Sequence, residues 1–268
     1  MQPRVKSALI FVPLVLFITY LGGLVYQLFF LAVLLYGTWE LHRLLKTMGY
    51  YVSLPVLLGG VGVLLLHRIL FPNFSYIDVV LIAIILVNVL LALYRYEAGD
   101  AQAVLSFALH LSGIIYMGWM GAYFFSVQAL PNGRWWALMV VILVWLVDLG
   151  AYLAGNRFGA HKLSPRLSPR KSWEGLAGGV VFGTIAGALL TVLFGRMMPS
   201  LQIWEGVLLG SGIALVTPIG DVFISMIKRV AGVKDSGTLI PGHGGMMDRI
   251  DTWLWAAMIG FYLAKVFS

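Results

Sequence analysis

The chain contains no cysteine, which excludes disulfides and thiolate-held metal centres and leaves the compartment undecided. Charge is nearly as scarce, at 11% of the 268 residues against about 25% in soluble domains. Only 11 residues are acidic, so a carboxylate inside an apolar stretch stands out. No G-x-x-x-x-G-K-[S/T] run occurs, so a triphosphate would have to be held differently from the way a P-loop holds it. The five histidines show no ligand spacing, and with cysteine absent this argues against zinc.

Apolar residues make up 60% of the chain. They gather into segments near the roughly 20 residues needed to cross a hydrocarbon core, at about 8–21, 24–41, 52–71, 76–94, 103–125, 135–154, 174–194, 203–227 and 252–267. The pattern predicts an all-α polytopic integral membrane protein with about nine transmembrane helices. The first two segments are separated only by Gly22-Gly23, which leaves room for a tight hairpin. Arg4 and Lys6 ahead of an apolar run imitate a secretory leader, but Thr19 to Gly23 lacks the small-x-small cleavage pattern, so retention is expected.

Threaded with the amino terminus inside, one face receives fourteen of the 18 Lys and Arg. The positive-inside bias then predicts a multi-pass protein of the cell (inner) membrane, with the amino terminus and the charged loops in the cytoplasm. A net charge of +7 on such a face attracts anionic lipid heads and nucleotides. Nucleic acid is not expected as a partner, because the cations sit on short loops between spans. Residues 1–134 read as a helical scaffold with room for oligomer contacts. Residues 135–268 read as the catalytic region, with loops 155–174 and 228–251 at its active-site mouth.

Two segments are chemically dense. Ser225 to Asp251 combines Lys228, Arg229, Lys234 and Arg249 with Asp235, Asp248 and Asp251, around the turn Gly242-His243-Gly244-Gly245. Missing side chains in such a turn let backbone N–H groups approach an anion. Gly155 to Gly175 contains the tandem repeat Leu163-Ser164-Pro165-Arg166, Leu167-Ser168-Pro169-Arg170. Its prolines are expected to hold the loop in bends while its cations stay free. A positive-inside anchor would need no more than that; the shared face with the other dense segment favours phosphate binding.

Asp148 and Asp221 fall inside apolar spans, where an unpaired carboxylate costs at least ~2.5–3.5 kcal/mol on insertion scales. At ~1.5 Å per residue both lie on the order of 11 Å below the cytoplasmic interface, a depth that permits a shared pocket. Asp248 and Asp251 join them on one face if the last helix begins early. Hard oxygen donors of this kind suit Mg²⁺. The structural alternatives are an arginine partner for Asp148 and a helix-capping role for Asp251. Pro218 and Gly220 are expected to kink the helix beside Asp221. Gly175, Gly179, Gly183 and Gly187 form a small-residue ridge expected to pack against a neighbouring helix.

The first dense segment closely resembles the signature of the phosphatidate cytidylyltransferases (CDP-diacylglycerol synthases). That signature reads S-x-x-K-R, K-D, P-x-H-G-G and D-R-x-D, matched here from Ser225 through Lys234-Asp235 and Pro241 to Asp251. The second is similar to the S-P-x-K-[S/T]-x-E-G element of that family, at Ser168 to Gly175, after a D-x-x-A-Y-x-x-G stretch at Asp148 to Gly155. The resemblance covers about residues 148–251, while residues 1–134 match only in being hydrophobic helices. It implies CTP and phosphatidate as substrates within membrane lipid, Mg²⁺ as cofactor with room for a second metal ion, and room for a homodimer. It assigns catalysis to Asp221, Asp248, Lys228, Arg229 and His243. It assigns substrate contacts to Lys162, Ser168, Arg170, Lys171, Ser172, Lys234, Asp235, Gly244, Gly245 and Arg249. The metal would fall to Asp221 and Asp248, with Asp251 and Asp148 as further ligands. One departure is Ile224, where the family often carries glutamate. A CTP-using polyprenol kinase would share the cationic loops and metal site. A transporter should show repeat symmetry, whereas both dense segments here lie in the second half.

Overall fold

The computed structural model describes residues 3–239 and 244–268, with side chains from residue 9 onward; His243 lies outside the described residues. The helices are α1 (Pro3–Leu21), α2 (Gly23–Thr47), α3 (Leu54–Leu70), α4 (Ile77–Glu97), α5 (Ala103–Gly113), α6 (Tyr123–Gln128), α7 (Gly133–Phe158), α8 (Trp173–Phe194), α9 (Ile203–Val230) and α10 (Met247–Phe267). A π-helical turn, Ile114–Trp119, links α5 towards α6. Every apolar segment drawn from the sequence is helical. Among the described residues, 7 helices are long and apolar enough to cross a membrane, the stretch Ala103–Gln128 counting as one, while Leu9–Leu21 and Leu54–Leu70 are shorter.

A bilayer explains an outer surface that water would not tolerate. On α4 only Ile84 and Asn88 are buried, while Val79, Ile82, Leu86, Leu90 and Leu93 face outward. So continuous an apolar exposure is foreign to soluble monomers.

The glycine ridge packs as its spacing predicts. A Cβ on Gly179 would lie 3.3 Å from the Ala151 side chain of α7, and one on Gly183 would lie 2.7 Å from the Gly210 carbonyl of α9. One on Gly187 would overlap the Gly206 carbonyl. Helix α8 is therefore wedged between α7 and α9 at backbone contact, as in other small-x-x-x-small interfaces. Gly220 has a similar role: a Cβ there would overlap the Asp251 carbonyl, so its absence brings α10 against α9 beside Asp221. The sequence suggested local freedom at Gly220; close approach is what the structure requires of it.

Two features differ from expectation. The Ser-Pro-Arg segment is a β-hairpin, with β1 (Lys162–Ser164) antiparallel to β2 (Ser168–Ser172) and Lys162 opposite Ser172. The all-α description is corrected to that extent. Pro165 falls in the turn, and Pro169 is tolerated because a two-stranded ribbon consists of edges. The second difference is that α10 begins at Met247, five residues before the drawn boundary. Asp248 and Asp251 thus lie on one side of its first turns. Helix α9 continues through Pro218 as one helix.

Candidate active site

A cavity of about 620 Å³ opens where α7, α8, α9, α10 and the hairpin converge, with Phe11 and Val12 of α1 completing its wall. It brings together Asp148 of α7, Arg170, Lys171 and Ser172 of β2, Asp221 and Lys228 of α9, Asp235 of the following loop, and Asp248, Arg249 and Asp251 of α10. Pro218 and Ala214 line it as well. Trp145, Leu176 and Trp253 make part of the wall apolar.

Two ion pairs cross it. Lys171 Nζ meets Asp221 Oδ2 at 2.6 Å, and Lys228 Nζ meets Asp248 Oδ1 at 2.5 Å. Asp221 Oδ1 also accepts from Ser225 Oγ at 3.3 Å. The other oxygen of Asp248 is fully engaged. Oδ2 accepts from the backbone N–H groups of Ser236 at 2.8 Å and Gly245 at 3.0 Å, and lies 3.0 Å from Ser236 Oγ. Asp248 therefore offers one oxygen, Oδ1, to a cation. Asp251 is buried, and its Oδ1 accepts from the Thr252 N–H at 2.8 Å. Because α10 starts earlier, Asp251 lies a turn inside the helix and is not its cap. Asp148 makes no ion pair among the described residues, so the arginine partner considered from the sequence is not seen. Arg249 Nε is buried and finds no partner among the described residues.

Other predicted residues lie off the wall. Lys162, Arg229 and Lys234 are exposed, and Ser168 pairs across the hairpin with Ser164. Gly244 has φ +81, and a Cβ on it would come within 2.6 Å of Asp248 Oδ2. The described glycines of the turn thus make room for Asp248 and donate to it. Ser172 lines the cavity and also caps α8, accepting from Gly175 N at 3.1 Å. The hairpin is braced from behind by Glu174, which accepts from His161 Nδ1 at 2.6 Å. Ile224 is fully buried in the core, so no acid takes the place of the family's frequent glutamate.

Among the described residues no three carboxylate or histidine groups already converge as a metal-binding cluster. The donor chemistry nevertheless fits a hard divalent cation: five carboxylates line one cavity, and lysine ammonium groups hold the cation positions beside two of them.

The Cytidylyltransferase family model matches residues 2–267, almost the entire length. The chain belongs to the cytidylyltransferase family. A phosphatidate cytidylyltransferase of Pseudomonas aeruginosa is 34% identical over 262 residues, covering 94% of this chain and 92% of that protein. One from Bacillus subtilis is 28% identical over 279 residues, covering 100% and 99%. One from Mycobacterium bovis is 36% identical over 168 residues, 61% of this chain; that alignment spans about half of the mycobacterial protein, 54%. For this cytidylyltransferase-family chain the similarity thus reaches back through the first half, where the sequence motifs were silent.

That half contributes a residue that motif reading missed. Glu40 of α2 is fully buried and accepts from Ser236 Oγ, Met246 N and Met247 N at 2.8, 3.0 and 2.8 Å. Its signal in the sequence is faint, a single acid at the end of the second apolar segment.

Proposed function

We propose that the protein is a phosphatidate cytidylyltransferase, joining CTP and phosphatidate to give CDP-diacylglycerol and diphosphate. The observation that carries this reading is the one cavity in which the cations of the hairpin and of α9 and α10 meet five carboxylates beside apolar walls. Such a site can take a polyphosphate and an acyl-bearing phosphate together.

The chemistry needs little proton transfer. A phosphate monoester has a second pKa near ~6 and carries about −1.5 to −2 charge at neutral pH, so the phosphatidate oxygen can attack without a strong base. That oxygen forms a bond to the α-phosphorus of CTP, the bond from this phosphorus to the bridging oxygen breaks, and diphosphate leaves. Lys171, Arg170, Lys228 and Arg249 neutralise phosphate oxygens and hold the two substrates in line. Lys171 and Lys228 must exchange carboxylate for phosphate partners to do so. Asp221 and Asp248, with Asp251 and Asp148 behind them, would hold Mg²⁺, which when bound supplies charge neutralisation of the leaving diphosphate. Room for a second ion, for homodimer contacts and for nine crossings belongs to the same reading.

The decisive experiment gives purified protein in mixed micelles CTP labelled separately in the base and in the γ-phosphate, with phosphatidate and Mg²⁺. Base label is expected to enter the lipid phase, and γ label to remain in solution. Transfer of γ label to lipid would make the protein a kinase and overturn the reading.

The cytoplasmic orientation rests on the cation bias. Ser236 is buried, so a topology label belongs at Thr238, which is exposed. Ser164→Cys and Thr238→Cys are expected to react with an impermeant thiol reagent only from the cytoplasmic side, and Ser200→Cys only from outside. Reaction of the first two from opposite sides would break up the site.

A further inference from the structure

Glu40 belongs to the half of the chain that carries none of the sequence motifs, and nothing in the proposed chemistry requires it. A fully buried carboxylate is costly unless its oxygens are satisfied, yet among the described residues no Lys, Arg or His pairs with it. It is satisfied by donors alone. Oε1 accepts from Met246 N, and Oε2 accepts from Met247 N and Ser236 Oγ. The first two are free N–H groups at the start of α10, where a negative charge is also favoured by the helix dipole. Met246, at the cap position, provides no side-chain cap of its own. Two glycines leave space for the carboxylate, since a Cβ on Gly237 or on Gly245 would overlap its oxygens. Ser236 Oγ lies between two acceptors, 2.8 Å from Glu40 Oε2 and 3.0 Å from Asp248 Oδ2, with one proton to share.

We propose that Glu40 is a positioning residue for the nucleotidyl-transfer site. From α2 it fastens Ser236 to the start of α10, and through Ser236 and the Gly245 backbone it fixes Asp248 so that Oδ2 is occupied and Oδ1 alone faces the cavity. The glycines at 237 and 245 follow from this, because a side chain at either would displace the carboxylate. This inference rests on the cytidylyltransferase reading for its effect on turnover, but not for its effect on the fold of the segment.

The test compares Glu40→Gln and Ser236→Ala, alone and together. Glutamine keeps the shape but turns an NH₂ group towards a backbone N–H. Ser236→Ala leaves both backbone bonds to Glu40 intact and removes only the bridge to Asp248. A Met246→Cys reporter in this cysteine-free chain monitors the segment, since Met246 is buried. Glu40→Gln is expected to lower kcat/KM for CTP at least tenfold and to make the reporter thiol-reactive. Ser236→Ala is expected to lower kcat severalfold while the reporter stays protected and the melting temperature is unchanged. The double variant should be no worse than Glu40→Gln.

A structural role alone would instead reduce yield and melting temperature in Glu40→Gln while the surviving enzyme kept wild-type kcat and KM, and Ser236→Ala would be silent; that overturns the proposal. If wild-type protein transfers no label from CTP, the functional reading fails separately. The reporter then decides: equal protection in wild type and Glu40→Gln removes Glu40 from any positioning role.

Discussion

Asp248→Asn is expected to cost at least a hundredfold in turnover and to destabilise the protein, whereas Asp221→Asn should lose comparable turnover with little loss of stability. Removing one preorganised electrostatic group from a site of this kind typically costs ~10²–10³ in kcat. The difference between the two variants comes from burial. The side chains of Lys228 and Asp248 are 12% and 6% exposed, those of Lys171 and Asp221 26% and 35%. In Asp248→Asn the amide oxygen can take over the three donors at Oδ2, which points the NH₂ group at Lys228 Nζ. The buried ammonium is then left without a partner, a situation that costs ~3–5 kcal/mol when a buried pair is broken. Lys171, closer to solvent, can re-hydrate when Asp221 is neutralised. Melting curves with and without Mg²⁺ complete the measurement, because an ion that binds only the folded state raises the apparent melting temperature. Wild type should gain stability with Mg²⁺ and both variants should gain less. Full turnover of either variant at low Mg²⁺ would remove that aspartate from the site.

Arg170→Gln with Lys171→Gln is expected to lower kcat/KM for CTP or phosphatidate at least tenfold. A hydrogen bond to a charged group contributes ~1.5–3 kcal/mol, and about 1.4 kcal/mol is a factor of ten. The hairpin sharpens this prediction. Both side chains line the cavity from β2, whereas Lys162 on β1 does not. Lys162→Gln should therefore have a much smaller effect on either substrate, although it removes the same charge from the same cationic segment. A topology anchor would respond to charge count and not to position. Unchanged kinetics in the double variant, with normal insertion, would reduce the hairpin to that anchoring role.

The sequence by itself determined the solvent, the helices and most of the chemistry. Apolar runs of near-spanning length admit helix and little else in a medium where every backbone N–H and C=O must be satisfied within the chain. Scarcity of charge made Asp148 and Asp221 conspicuous, and both line the cavity. The four-residue glycine period reported its packing face because close helix contact requires small side chains at that spacing. The motif residues Lys228, Asp235, Asp248 and Arg249 were legible for the same reason, as polar groups concentrated in an apolar chain.

Tertiary structure alone decided how these residues are shared out. Pairing of the two Ser-Pro-Arg repeats into a hairpin depends on cross-strand bonds that no local pattern announces, and it separates Lys171 at the cavity from Lys162 in solvent. The match of Lys171 to Asp221 joins residues fifty positions apart, so neither residue's neighbours signal the other. Most of all, the role of Glu40 could not be read locally. Its partners lie about two hundred residues along the chain, and a carboxylate held by backbone N–H groups leaves no complementary charge in the sequence to reveal what it holds.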